Sequence, residues 1–419
     1  MKAISKHKTP FALAAIASLA AATILAGCGG SDDNGAATGT VPNDVSPTPT
    51  NVPSKDVQAA TRSRIFGAEN VDPDTGEVRS DLLIVSWLTN TTYAAAINGK
   101  VVLLDASLLR RETSVGRTPA TLDDVAALMP SYILLGKADA GHADLAAAVA
   151  FRTGATVIGA AEHCDVVEND ARKEIGYTGS QKLIKCDPVV PRAQPVGKAV
   201  NTKLYADLGV CLRAVSHSDA VSAERDSRLP VEAFDWSANS DVRDPTYWPA
   251  GTPAQDNVAT TGTGGPNVLY HLAYLGSQSF GLTWNDRVGS LKEAGSAVAG
   301  LLRGLPKTDL QIGAVDVGNA ATNGLRDAAL YIQAVEPKIF FMAGHDAAAQ
   351  RAGAFNTAET VRRALDKAID VVGMDAASRP ELRVNFDPSD YAKAHFMTFD
   401  PAAPTWSRAG DRIASTSCE

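Results

Sequence analysis

The stretch YILLGKADAGHADLAAAVAFRTGATVI, residues 132–158, decides the fold. Tyr132-Ile133-Leu134-Leu135 is an unbroken apolar run of strand length. Residues 136–141 form a polar loop. Residues 142–152 are rich in alanine and read as a helix. Thr153-Gly154 stops that helix, because glycine is favoured just past a helix C-terminus. Ala155-Thr156-Val157-Ile158 then begins another strand.

Upstream lie three more short apolar runs, at 82–87, 93–97 and 101–105. Asn98-Gly99 separates the last two and is the strongest short hairpin signal. The folded body therefore opens as an antiparallel meander, followed by a short helix over 122–129. Downstream the theme repeats. Strands are expected over 208–215 (running on to His217), 268–275, 280–284, 310–315 and 339–342. Helices are expected over 291–302, 325–335 and 357–371; the second stops before Pro337, and the third carries its apolar residues on one face. Residues 219–266 hold Pro, Gly, Trp and Asp without a period and read as an insertion. Two strand-rich halves, each closing with helices, imply an α+β fold: a four-layer αββα sandwich. No glycine loop of the dinucleotide or phosphate type follows a strand, so nucleotide binding has no support.

The chain has 419 residues, and 45% are apolar, which excludes wholesale disorder. Lys and Arg number 39 against 47 Asp and Glu, a charge of −8. That balance argues against nucleic acid as a partner, which requires a basic face. The average covers unlike parts. Lys2, Lys6 and Lys8 precede an uncharged, Ala- and Leu-rich stretch at 11–27. It is shorter than the roughly 20 residues that span a bilayer, and it reads as a secretory signal. It ends in Leu25-Ala26-Gly27-Cys28, which resembles the bacterial lipoprotein cleavage box. The resemblance implies removal of residues 1–27, lipid on Cys28 and attachment to a membrane. With Gly29 next, it implies the outer membrane, facing the periplasm or exported to the surface. Residues 28–60 (Gly, Ser, Asp, Asn, Thr and Pro without a period) read as a flexible tether, leaving 61–419 as the folded body. Without the three leader lysines the charge is −11. Four further cysteines, Cys164, Cys186, Cys211 and Cys418, are then in an oxidising compartment. Four allow three connectivities; Cys164 with Cys186 and Cys211 with Cys418 is the expected one. No CxxC spacing supports a thiolate metal site.

Histidines number seven, and three stand at strand-to-loop ends: His142, His217 and His345. Side chains in that position face a ligand. His163 and His271 read as structural, and Asp219 reads as a loop residue. The stretch from Val85 to Ile158 resembles the front half of the metallo-β-lactamase-fold hydrolases. It shares a meander ending in Asp105, a strand, a motif loop, a helix and the run Arg152-Thr153-Gly154-Ala155-Thr156-Val157-Ile158. His217, Trp284-Asn285-Asp286 and Gly344-His345 fit the back half, so the likeness spans about 80–350.

The family motif HxHxDH is altered. Here it reads Lys137-Ala138-Asp139-Ala140-Gly141-His142. Lys137 stands where the first metal ligand would be, and Gly141 stands where the motif Asp would be. The resemblance implies that Asp139 and His217 are what remains of a first metal site. Lys137 is expected to pair with Asp139 there in place of the metal. It also implies a second site of His142, Asp286 and His345, holding one Zn or other divalent metal with an open position. His142 and Asp286 are then the catalytic residues, Asp286 as orienting base. Two functions follow. One is a mono-metal hydrolase of ester, lactone, amide or phosphoester bonds. The other is a catalytically inactive homologue, with no metal, that binds a small ligand or partner through the former cleft.

Overall fold

The computed structural model describes residues 52–89, 91–108, 120–219, 264–275, 280–292, 296–315, 325–344, 358–383, 396–407, 411 and 418. The chain divides into Met1–Asn43 and Asp44–Glu419, and all described residues belong to the second unit. The leader, Cys28, most of the tether, nearly all of the insertion (220–263) and His345 lie outside the described residues.

The meander forms as expected: β1 (Leu83–Thr89), β2 (Thr92–Ile97) and β3 (Lys100–Leu104) pair antiparallel. Asn98 (φ 49°) and Gly99 (φ 73°) make the turn between the last two. Two successive positive φ values are what a tight hairpin turn needs, and glycine supplies one at no steric cost. The chain then runs through β4 (Tyr132–Leu134), β5 (Thr156–Ala160) and β6 (Lys185–Val190), all parallel to β3. Helices α1 (Lys55–Phe66), α2 (Leu122–Ala127), α3 (Ala146–Thr153) and α4 (Ala161–Ile175) accompany this half. The second half repeats the plan. β7 (Val200–Tyr205), β8 (Val210–His217), β9 (Asn267–Tyr274) and β10 (Gly281–Asn285) are antiparallel; β11 (Leu310–Ala314), β12 (Ile339–Ala343) and β13 (Glu381–Arg383) follow in parallel. Its helices are α5 (Ser296–Gly304), α6 (Arg326–Val335) and α7 (Ala358–Val371). A last strand, β14 (Phe396–Phe399), returns to the first sheet beside β1.

Strand side chains alternate between faces, and here that alternation sorts residues into separate cores. Leu83, Val85, Trp87, Tyr93, Ala95 and Ile97 point inward against Tyr270, Trp284, Ile312 and Phe341 of the other sheet. Their neighbours Ile84, Leu88, Ala94 and Ala96 point outward, into a core with residues of α1–α4. On the far side, Val215, Leu269, Phe340 and Met342 pack with residues of α5–α7. Both faces of each sheet are covered, which is why the strands read as continuous apolar runs rather than alternating ones. This is the α+β, αββα sandwich expected from the sequence.

Helix α1 corrects the tether boundary. Ser54 caps it by accepting from the Val57 amide, and Thr61, Ile65 and Phe66 are buried. Residues 55–60 therefore belong to the body: the polar first turn hid an anchor two turns on. Helix α3 begins at Ala146 rather than at 142, because 139–145 is spent on loop hydrogen bonds described below. Both expected disulfides form, Cys164–Cys186 joining α4 to β6 and Cys211–Cys418 joining β8 to the C-terminal region. No helix among the described residues is long and apolar enough to cross a membrane.

Candidate metal centre

The loops that follow β3, β4 and β10, with the end of β8, bring Asp105, the 136–142 segment, Asp286 and His217 together. Strands β3 and β4 are held in register by Asp105 N donating to Leu134 O at 2.8 Å. Asp105 then adopts a left-handed φ of 58°, which turns its carboxylate across the strand ends. Three groups fix that carboxylate: Thr91 Oγ1 donates to Oδ2 (2.7 Å), Gly136 N donates to Oδ1 (3.3 Å), and His142 Nδ1 lies 2.9 Å from Oδ2.

His142 is placed by its loop. Its carbonyl accepts from Ala106 N, and its amide donates to Asp139 O. Asp144 Oδ2 gathers the loop by accepting from Ser107 Oγ (2.6 Å) and Gly141 N (2.7 Å). Gly141 has a φ of 94°, so its missing side chain lets the backbone make that turn.

Asp286 follows β10 and is fully enclosed. Its Oδ2 lies 3.0 Å from His142 Nδ1. That nitrogen carries one proton, which the bond to Asp105 uses. Asp286 Oδ2 therefore makes a charge contact, and neither Asp286 oxygen has a well-aligned donor. The Asp286 carboxylate presses on Gly136: a Cβ there would meet Oδ1 at 2.1 Å. Gly136→Ala is expected to push the Asp286 carboxylate out of place and cost about 1–3 kcal/mol, the usual range for overpacking. Thermal unfolding would show a lowered Tm together with loss of metal retention; an unchanged value for both would contradict the geometry.

Asp105, His142 and Asp286 place one donor atom each within 4.8 Å of one another, all buried. Burial raises the Asp105 carboxyl to about 7, reinforced by the Asp286 charge. For His142, burial works downward, but the charges of Asp105 and Asp286 and the hydrogen bond to Asp105 outweigh it and lift the imidazole to about 10. Burial likewise opposes ionisation of Asp286, yet His142 and Arg287 hold it below the usual range. The raised His142 contributes stability that is complete below about 6.5 and is lost as pH rises through about 10. Metal-free protein should therefore lose on the order of a few kcal/mol between pH 7 and 10. A His142→Gln variant should show a flatter decline by thermal melting.

The other expected residues stand nearby in a different arrangement. His217 is buried, edge-on to Tyr331 at a centroid distance of 5.6 Å. Its Nδ1 donates to Ser218 O (3.0 Å), and burial keeps the ring neutral, so Nε2 carries a lone pair, with no partner. Asp139 is drawn off by Arg287, whose Nη2 lies 2.8 Å from Oδ2. Lys137 lies 3.9 Å from Asp139 but 2.7 Å from Asp219 Oδ1, which also accepts from Asn267 Nδ2. The expected Lys137–Asp139 pair is thus a four-member network, and Asp219, read from sequence as a loop residue, is the main partner of Lys137. His163 is buried and holds Pro266 O through Nε2; His271 lies in β9. Asp105 is the donor that sequence reasoning missed. It was visible as the end of the meander, but its left-handed turn was not.

No family model and no curated protein matches the sequence. Among solved structures, the chain resembles metallo-β-lactamase-fold proteins. One is Igni18, a metallo hydrolase from Ignicoccus hospitalis, at 10% identity over 76% of this chain and 98% of that one, with a TM-score of 0.44. Another is the metallo-β-lactamase fold protein YhfI from Bacillus subtilis, at 9% identity over 76% of this chain and 100% of that one, with a TM-score of 0.40. A third is CmlA, a diiron β-hydroxylase from Streptomyces venezuelae, at 10% identity over 77% and 55% of the two chains, also with a TM-score of 0.40. Likenesses this distant leave the chemistry to be argued from the site.

The donors fit a divalent ion. Ligands about 2.1 Å from a shared metal lie about 3.0–3.4 Å apart, close to the spacings His142 Nδ1 keeps from the two carboxylates. One imidazole and two carboxylates suit zinc or another borderline cation. The Asp286 oxygens, which have no hydrogen-bond donor, carry lone pairs that a cation would satisfy.

Proposed function

We propose that this chain is a metal-dependent hydrolase of ester, lactone, amide or phosphoester bonds, held by lipid on Cys28 at the bacterial cell envelope. The observation that carries the reading is Asp286: a fully enclosed, ionised carboxylate whose oxygens lack donors, beside His142 and Asp105. Leaving such a group unsatisfied is costly, and a divalent ion removes the cost. Asp105, His142 and Asp286 would hold that ion. Bound there, it would supply Lewis acidity toward a carbonyl or phosphoryl oxygen and acidify a water.

The chain's own residues do the rest. Thr91 and the Gly136 amide keep Asp105 from rotating. Asp286 Oδ1 has no donor of its own, so it is placed to take the proton of an attacking water. His217 Nε2 offers a second acceptor to that water or to a substrate hydroxyl. His142 is locked in place by two carboxylates, and its Nδ1 proton must leave before a metal can enter.

A second reading, an inactive homologue that binds a small ligand in the cleft, is favoured by one observation. Lys137 with Asp219 and Arg287 with Asp139 neutralise one another around the site. Elemental analysis of protein purified without chelator, paired with an ester and phosphoester panel, separates the two. Near-stoichiometric metal with metal-dependent turnover supports the hydrolase. Fewer than about 0.2 metals per chain after zinc has been offered at pH 8 would sink it, since metal entry is favoured as ligand protons leave.

A further inference from the structure

The buried lone pairs near Asp286 do not end with the metal centre. His217 Nε2, Asp139 Oδ1 and Asp286 Oδ1 are all enclosed acceptors without donors. The cations nearest to them belong to the protein. Lys137 is 9% exposed at its side chain; its charge acts on His217, and Arg287 acts on Asp286. The lysine is built in rather than draped over the surface. Gly264 (φ 85°) packs on it so closely that a Cβ would meet Lys137 Cε at 2.8 Å, and Ala138 N donates to Gly264 O. Asp219 and Asn267 hold the network from the other side.

We infer that Lys137, braced by Asp219 and seconded by Arg287 on Asp139, is a resident cation that takes the place of a second metal ion and limits the site to one. The inference rests on the metal centre proposed above but fails separately from it. An ammonium repels a divalent ion brought to His217 and Asp139, and Arg287 occupies the Asp139 oxygen such an ion would use. The lysine also delivers fixed positive charge and N–H donors beside the centre without metal supply.

The test is a cobalt(II) titration of the full mature chain, followed by d–d absorption and elemental analysis. Wild type should saturate at no more than one equivalent. Lys137→His removes the charge and adds a donor beside His217 and Asp139; it should take up about one equivalent more. Lys137→Gln, which removes charge alone, should admit the extra ion at least about tenfold more weakly than the His variant. Lys137→Arg, which keeps the charge, should behave as wild type. Two equivalents in wild type would overturn the inference. So would folded His and Gln variants that bind no more than wild type. If wild type binds none and the His variant binds one, the metal centre of the preceding section falls and this inference stands.

Discussion

Asp286→Asn is expected to empty the metal centre. The substitution keeps the shape and removes the charge that sits 3.0 Å from His142 Nδ1. It also turns one oxygen into a donor that cannot ligate a cation. Loss of a group that merely orients a ligand typically costs 10–100-fold in metal affinity, so loss of this ligand should cost more than about 100-fold. Hydrolysis should fall to background. Asp286→Asn also leaves His142 beside one carboxylate instead of two, so its imidazole should drop from the raised value and the variant should bind its proton less tightly. Isothermal titration with zinc and a histidine-resolved NMR pH titration read both effects. Retained zinc affinity would mean that Asp286 is a structural anion and that the metal reading of the site is mistaken.

Opening the Cys211–Cys418 bond should have the largest effect on stability away from the site. The bond closes a loop of 207 residues, for which the chain-entropy treatment gives about 5 kcal/mol. It ties the C-terminal region to β8, the strand that ends at His217. The segment before it is already held by two lysines, Lys307 buried and Lys338 half-buried. Lys307 Nζ donates to Trp406 O (2.8 Å) and pairs with Asp309 (3.1 Å), and Lys338 pairs with Asp309 (2.9 Å). Native packing thus limits how far the loop opens, and the measured loss should be below the full entropic figure. A double Cys211→Ser, Cys418→Ser variant in denaturant should still lose more than about 2 kcal/mol. A loss within error of zero would show that the lysine clasp alone holds the segment.

The meander was readable because Asn98-Gly99 forces a turn and the flanking runs are apolar on both faces. Helix α4 was missed, although Val167 and Ala171 are buried on it and Gly176 ends it at φ 65°. Strand β6 was missed because Pro188 and two charged residues interrupt its pattern, and β7 because most of it is half or fully exposed. At the site, the histidines announced themselves by scarcity and by position at strand ends. The ion-pair network did not. Lys137 and Asp219 are 82 residues apart, and Asp139 and Arg287 are 148 apart. No local pattern encodes which acid will reach which base across two sheets. Asp105 needed one backbone angle that a string of letters does not carry.

Strand β14 has a consequence for how this protein is made. It is the edge partner of β1, yet β1 begins at Leu83 and β14 ends at Phe399. A chain made amino end first would display the outer edge of its first sheet, unpaired, throughout synthesis of everything between. An open edge of that kind invites pairing with other strands, and closing so long a loop is slow. Nascent copies stalled before residue 396 are therefore the form most in need of a chaperone, and completion of the chain is what retires that need.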